Sequence, residues 1–276
     1  MRIAYITPGS GKRFYCENCI RDAALINAMR DLGHDAVGIP MYLPLQAEPE
    51  GRARRPPVFF GGINVYLQQR FRLFRRTPRW IDRLLDSGLL LALAGRAGSL
   101  TASPALADTT ISVLKGPLGH QAKELERLIE YLERPDNRPQ AVCLSNVLLA
   151  GLAPALKARI GAVVVCLLHD EEGFLEAMGR PHSQRAWEML ANNARSIDAF
   201  AAFSEPYAQT MRRRLGLGPG QPVVIRPEPA VPPAAGRVPG RFDPPSFSKF
   251  NITDTARQLL ELCRAAAGNA RGTADA

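Results

Sequence analysis

The chain has 276 residues, of which 46% are apolar, and a formal net charge of +9. This length allows one large domain or two small ones, and the apolar fraction excludes a chain with too little hydrophobic surface for a core. Only five of the 35 basic residues are lysine. The arginine excess suits bidentate binding of an anionic ligand or surface, or it reflects an arginine-biased composition.

The cysteines and the hydropathy pattern indicate a cytoplasmic location. Five cysteines accompany neither a signal peptide nor an apolar run of about 18 residues, as is typical of a reduced cytoplasmic protein. Residues 70–95 mix aromatic and aliphatic residues with arginines, so they are predicted either to contact the inner face of a membrane or to form an amphipathic helical insertion. No nucleic-acid-binding motif accompanies the charge, so no nucleic-acid partner is expected.

The first 35 residues predict a strand, a glycine-bearing loop, a helix and a second strand. Arg2–Thr7 is rich in β-branched and apolar residues, and apolar residues recur with helical spacing over 16–32. Gly33 stands where a left-handed glycine closes a helix, and Asp35–Pro40 restarts a strand. Such a βαβ unit places its loop at the carboxyl edge of a parallel sheet, where open α/β sheets bind ligands.

The same alternation continues through the chain. Further strands are predicted at 141–144, 162–168, 198–203 and 223–225, and helices at 121–132, 148–158, 187–196 and from Ser204 onwards. Residues 162–168 are apolar throughout, as a sheet covered on both faces requires. The predicted fold class is α/β, a single Rossmann-like domain with a mostly parallel sheet flanked by helices.

Polar residues follow three of these strands, at the edge where ligands are expected: Asn146, His169, Asp170, Ser204 and Glu205. Titratable groups placed directly after a buried strand are candidates for chemistry. The structural alternatives are a packed or capping histidine at 169 and helix caps at Asp170 and Ser204.

The pattern stops after the last predicted strand. Seven prolines lie between residues 227 and 245, more than a helix or sheet tolerates. Residues 253–267 predict a final helix, capped by Thr253 or Asp254, whose leucines suggest docking on another surface, and 268–276 predict disorder. The predicted organisation is a domain at 1–226, a proline-rich linker at 227–250, and a C-terminal helix and tail at 251–276.

The order of elements resembles the N-terminal, acceptor-side domain of family 4 glycosyltransferases, which have the GT-B architecture. The residues that carry the resemblance are the glycine loop after the first strand, Leu32-Gly33-His34-Asp35, His169-Asp170 after a strand, and Ala202-Phe203-Ser204-Glu205 before a helix. Residues 15–22, and residues 58–85 within an insertion at about 58–100, look like features of one bacterial subgroup. The resemblance covers roughly residues 1–226.

By this resemblance, the chain is one half of a GT-B fold and binds the acceptor in retaining sugar transfer from a nucleotide sugar, with no metal and no other cofactor. Gly9 and Gly11 would shape the loop facing the donor phosphates, and His169 would be the catalytic residue near the transferred sugar. The acceptor side would be lined by Asn146, Asp170, Ser204 and Glu205.

The family's second, donor-binding domain is not expected within the roughly fifty residues after position 226. The expected partner is therefore a separate donor-domain protein or a second copy of this chain, because sugar transfer depends on holding donor and acceptor together.

Two other functions stay open. A non-catalytic remnant that binds a glycan or an enzyme partner would have the same fold. Cys16 and Cys19 suit a dithiol at a helix N-terminus, where the helix dipole lowers a thiol pKa. A structural zinc site needs four ligands, and Cys143, Cys166 and Cys263 stand apart in the sequence.

Overall fold

The computed structural model describes residues 1–9, 17–42, 56–60, 68–69, 103–225 and 249–272. Its centre is a six-stranded sheet with the order β2-β1-β3-β4-β5-β6, in which all neighbouring strands are parallel. The strands are β1 (Arg2–Thr7), β2 (Asp35–Pro40), β3 (Ala141–Leu144), β4 (Val163–Leu168), β5 (Ala199–Ala202) and β6 (Val223–Val224). The predicted α/β, Rossmann-like fold is confirmed.

Helices flank the sheet on both sides. They are α1 (Glu17–Asp31), α2 (Ser103–Leu114), α3 (Ala122–Glu133), α4 (Ala153–Ala155), α5 (Glu171–Ala177), α6 (His182–Ala194), α7 (Glu205–Leu215) and α8 (Lys249–Gly272). A 3-10 turn lies at Gly116–Leu118, and a 3-10 segment (Val147–Leu152) and a π segment (Leu156–Ile160) continue α4 at its two ends. The sequence did not predict α2, and it indicated α5 only through the alternative that Asp170 caps a helix.

Successive apolar residues of β1, β3, β4 and β5 enter two separate cores, because side chains alternate across a sheet. On β4, Val164, Cys166 and Leu168 belong to a core shared with α2, α3, α6, α7 and the 147–160 segment. Val163, Val165 and Leu167 belong to a second core, shared with α1 and α8. Both faces of β4 are covered, which explains why its sequence is apolar throughout.

Helix α8 completes the second core. Its buried face packs over small strand residues, with Ile252, Ala256, Leu259, Leu260, Cys263 and Ala266 on the helix and Ala141, Cys143, Ala199 and Ala201 on the strands. The Sγ atoms of Cys143 and Cys263 are 3.8 Å apart. The docking suggested by the leucines of this helix is therefore observed, and the surface it covers is the sheet itself.

The boundaries of α8 correct two predictions. The helix begins at Lys249, so neither Thr253 nor Asp254 is its N-cap, and residues 268–272 are helical rather than disordered. Most of the predicted linker and the last four residues lie outside the described ranges.

The insertion predicted at about 58–100 is described only at two short stretches. Phe59 and Phe60 are buried in the first core, and Gln68 Nε2 donates a hydrogen bond to Glu124 Oε1 of α3 at 3.0 Å. The basic stretch 70–95 lies outside the described residues. None of the described helices has the length and apolar character needed to cross a membrane.

The strand order reverses beside β1. Strand β2 lies on one side of β1 and β3 lies on the other, so the chain leaves the two carboxyl ends in opposite directions. Sheets of this type usually bind ligands in a crevice at such a switch point, which here lies between the carboxyl ends of β1 and β3.

The turn that leads into β2 has the predicted glycine cap. Gly33 has φ +83°, and the N–H groups of His34 and Gly33 donate to the carbonyls of Met29 and Arg30. This is the Schellman pattern, which ends α1 and directs the chain into β2.

Candidate functional site

A buried histidine lies at the carboxyl edge, one strand from the crevice. His169 directly follows β4, is 8% exposed, and has its Nδ1 2.7 Å from Nη1 of Arg21 on α1. A guanidinium only donates hydrogen bonds, so Nδ1 is the acceptor and the neutral ring carries its proton on Nε2. Nε2 is shielded from solvent and has no hydrogen-bond partner in the described part of the chain.

Burial keeps this imidazole neutral. Desolvation is the main cause that lowers the pKa of His169 to about 3, and the positive charge of Arg21 lowers it further. The backbone carbonyl of Ser145 raises this pKa, because a hydrogen-bond acceptor near the ring favours the protonated form. It does not form a hydrogen bond of good geometry with Nε2. At neutral pH, His169 is therefore a hydrogen-bond donor through Nε2 and carries no charge.

An aromatic ring holds the imidazole from one side. Phe203 follows β5, and its ring stacks on His169 with centroids 5.0 Å apart and planes 9° apart. The guanidinium carbon of Arg21 lies 5.5 Å from the Phe203 centroid, within cation–π range. The side chains of Arg21, His169 and Phe203 thus form a compact group from α1 and two strand ends.

A second buried group joins β1 to the start of α1. The carboxylate of Asp22 accepts hydrogen bonds from the hydroxyls of Tyr5, at 2.8 Å, and Thr7, at 2.5 Å. Asp22 is 1% exposed. These hydrogen bonds fix the part of α1 that carries the neighbouring Arg21. The Arg21 Nη2 also donates to Asn18 Oδ1.

Glu171 connects the ends of β3 and β4 to α7. Its Oε1 accepts from the Val147 N–H at 3.1 Å, and its Oε2 accepts from the His169 N–H at 2.8 Å and from the Tyr207 hydroxyl at 2.7 Å. Burial raises the pKa of this carboxyl, while these three donors act in the opposite direction. The carboxylate is therefore stabilised in the interior by the loops that it joins.

Asn146 has a local structural role. Its Oδ1 accepts from the Leu148 N–H at 3.1 Å, which caps the 3-10 segment, and its Nδ2 donates to Ser145 Oγ at 3.4 Å. The residue lies at the predicted edge, after the carboxyl end of β3. Its side-chain oxygen is already committed to the cap.

The other three predicted acceptor residues are exposed at the same edge. Asp170 and Ser204 occupy the N-cap positions of α5 and α7, but neither side chain makes a capping hydrogen bond, so the predicted caps are positional only. Glu205 accepts a long hydrogen bond from Gln209 at 3.4 Å. These two carboxylates and one hydroxyl remain available to a ligand.

The glycine loop is described at its first residue only. Gly9, predicted to face donor phosphates, has φ +79°, a left-handed conformation that favours glycine. Gly11 and Cys16 lie outside the described residues. Cys19 is 3% exposed, so the described half of the Cys16/Cys19 pair is buried.

Four further residues complete the site, and none of them was assigned a role from the sequence. They are Arg21, Phe203, Glu171 and Tyr207. Arg21 and His169 are 148 positions apart, so no local pattern links them. Glu171 did carry a signal, because it belongs to the run of titratable residues that follows β4.

No group of three or more His, Cys, Asp or Glu side chains in the described ranges is arranged to hold a metal ion. Comparison with protein-family models and with curated proteins gave no match. The fold and the geometry around His169 are therefore the basis on which function is inferred.

Proposed function

We propose that this domain is the acceptor-binding side of a family 4 type glycosyltransferase and that it binds a hydroxyl-rich saccharide at the carboxyl edge of β3, β4 and β5. The observation that carries the proposal is the neutral His169, whose Nε2–H is buried and has no well-formed hydrogen bond among the described residues. An unsatisfied buried donor costs about 1–3 kcal/mol, and a ligand oxygen would recover that cost.

The surrounding groups suit a ligand rich in hydroxyls. Asp170 and Glu205 can accept hydrogen bonds from sugar hydroxyls, and Ser204 can donate or accept. All three are exposed at the ends of the strands that carry His169 and Phe203. Nε2 itself is shielded, so binding would require a local opening around the ring.

The neutral ring supports a binding role for His169 more than a proton-transfer role. A general acid or base works best with a pKa near the operating pH, and the pKa of His169 is lowered to about 3. In the proposed function, His169 orients a sugar hydroxyl by donating from Nε2. Sugar transfer would then need a nucleotide-sugar-binding domain, from a partner protein, a second copy of this chain or another part of the same protein.

The test is an NMR titration of the 15N-labelled full chain that follows the His169 Nε2–H resonance. The probes are a panel of glycosides and disaccharides, and separately a panel of UDP-, GDP- and ADP-sugars. We expect at least one saccharide to shift the resonance and the nucleotide sugars to leave it unchanged. Binding of a nucleotide sugar alone would instead indicate a donor-side function.

Matched variants connect the binding to His169. Replacing His169 with Phe keeps a flat ring and removes the donor, so we expect about tenfold weaker saccharide binding, the value of one net hydrogen bond. His182→Gln is the control, since His182 pairs with Asp108 on the surface. If no saccharide binds, or if His169→Phe binds as tightly as the parent chain, the proposal is wrong.

A further inference from the structure

One buried carboxylate holds together three segments of the candidate site. Glu171 accepts from the backbone after β3 (Val147), from the backbone after β4 (His169) and from the side chain of Tyr207 on α7. The Tyr207 hydroxyl also accepts from the Glu171 N–H at 3.0 Å, which closes a ring of hydrogen bonds. The loop that carries His169 therefore has its geometry defined by Glu171.

The orientation of Glu171 is unusual for its place in the chain. It is the first residue of α5, where an acidic side chain ordinarily stabilises the helix by facing its free N–H groups. Glu171 is instead 5% exposed, and the preceding Asp170 makes no side-chain cap. Burial of a carboxylate is unfavourable unless it is hydrogen-bonded, and here the hydrogen bonds come from Val147, His169 and Tyr207.

We propose that Glu171 is the positioning residue of the site: it holds the loops after β3 and β4 at a fixed separation, directs the Nε2 of His169, and couples that direction to the start of α7. The proposal rests on the site assigned under the proposed function, but the positioning itself can be measured without a ligand.

The coupling to α7 follows from Tyr207. This residue lies two positions after Glu205 and three after Ser204, the exposed groups available to a ligand. The Tyr207 hydroxyl and the His169 N–H donate to the same oxygen, Oε2 of Glu171. A displacement of the start of α7 therefore moves this oxygen and changes the position of His169. A ligand that contacts Ser204 or Glu205 would change the position of His169 in this way.

The experiment compares Glu171→Gln and Tyr207→Phe in the 15N-labelled full chain without ligand. The readouts are the ring 15N and Nε2–H resonances of His169, the exchange rate of that N–H with water, and the melting temperature. Glutamine has one carboxamide oxygen, so an NH₂ group would face one of the backbone donors. We expect shifted ring resonances and about tenfold faster Nε2–H exchange in Glu171→Gln. Tyr207→Phe should give a smaller change of the same kind.

The control is Glu172→Gln, at the adjacent position, where the carboxylate pairs with Arg214 on the surface at 3.1 Å. It should leave the His169 ring signals unchanged. A residue that only supported folding would lower the melting temperature while the ring resonances and exchange stayed at the parent values. That result, in either variant that folds, overturns the positioning role, and it does so whether or not a saccharide binds.

Discussion

The guanidinium of Arg21 and the imidazole of His169 meet at 2.7 Å in the interior, with the nitrogen of the arginine facing Nδ1. This contact selects one tautomer, because Arg21 can only donate. It also opposes a charge on His169, since a second cation beside a buried guanidinium is unfavourable. The structural consequence is a site histidine that stays neutral well below physiological pH.

Stability should therefore fall in acid through His169. The pKa is about 3 in the folded protein against 6.5 for an unperturbed histidine, so the unfolded state binds more protons between these values. The contribution of neutral His169 to the free energy of unfolding is complete above pH 6.5 and decreases as the pH falls towards 3. The free energy of unfolding should change by at most about 1.4 kcal/mol per pH unit through this group. Urea unfolding of the parent chain and of His169→Gln at several pH values measures the difference, and parallel stability curves would contradict the assignment.

The glycine at 151 should not tolerate a side chain. A Cβ at Gly151 would lie 2.3 Å from the Val113 carbonyl oxygen and 2.8 Å from the Leu114 Cα, both backbone atoms. Gly151→Ala is expected to destabilise the fold by about 3 kcal/mol, because backbone cannot move aside as a side chain can. Denaturant unfolding is the measurement.

Gly173 provides the matched control, because it is an exposed glycine within α5 with no atom near its added Cβ. Gly173→Ala should be neutral or stabilising by about 0.5–1 kcal/mol. Equal effects at the two positions would show that the close approach around Gly151 is not maintained.

Helix α8 should unfold together with the sheet. Leu259 is fully buried in the second core, so Leu259→Ala is expected to cost about 2–5 kcal/mol. Glu261→Ala on the exposed side of the same helix should change stability by less than about 0.5 kcal/mol.

Unfolding of the parent chain, followed by circular dichroism and by tryptophan fluorescence, should give one transition. Two separate transitions would show that α8 docks independently.

The four described cysteines should react slowly with thiol reagents in the native state. Cys19, Cys143, Cys166 and Cys263 are all buried, and the contact with Cys263, together with desolvation, raises the pKa of Cys143. A thiolate is the reactive form, so a raised pKa and burial both slow the reaction. Timed reaction with Ellman's reagent, with and without urea, measures this.

The same chemistry tests the thiol alternative. Replacement of Cys16 and Cys19 by Ser should leave saccharide binding and the His169 Nε2–H resonance unchanged, because neither cysteine is among the groups proposed to bind the saccharide. A loss of function in that double variant, with the fold retained, would favour a dithiol function over the proposed one.

The sheet was predictable because its strands are short apolar segments at regular intervals. The clearest predicted strand, 162–168, begins one residue before β4 and ends at the same residue. Helix α2 was missed because Ser103–Leu114 contains Pro104 and several β-branched residues, which have low helix propensity. The extent of α5 was not predicted because it has only seven residues and contains Gly173, so no apolar period can develop.

The site was predictable in position and only partly in composition. The rule that ligands bind at the carboxyl ends of parallel strands placed His169, Asn146, Asp170, Ser204 and Glu205 at one edge, where the structure has them. The partners of His169 were not predictable, since contacts with Arg21 and Phe203 depend on how α1 and β5 pack. Likewise, the inward turn of Glu171 depends on Tyr207, 36 positions further along the chain.

The second core depends on a helix that is synthesised after all six described strands. Cys143 and Cys263 touch although 120 positions separate them, and contacts over such a distance form late and slowly. Until α8 leaves the ribosome, the apolar face of β3, β4 and β5 lacks its cover, and exposed apolar surface of this kind favours aggregation. The yield of correctly folded protein should therefore depend on how quickly this last helix reaches the sheet.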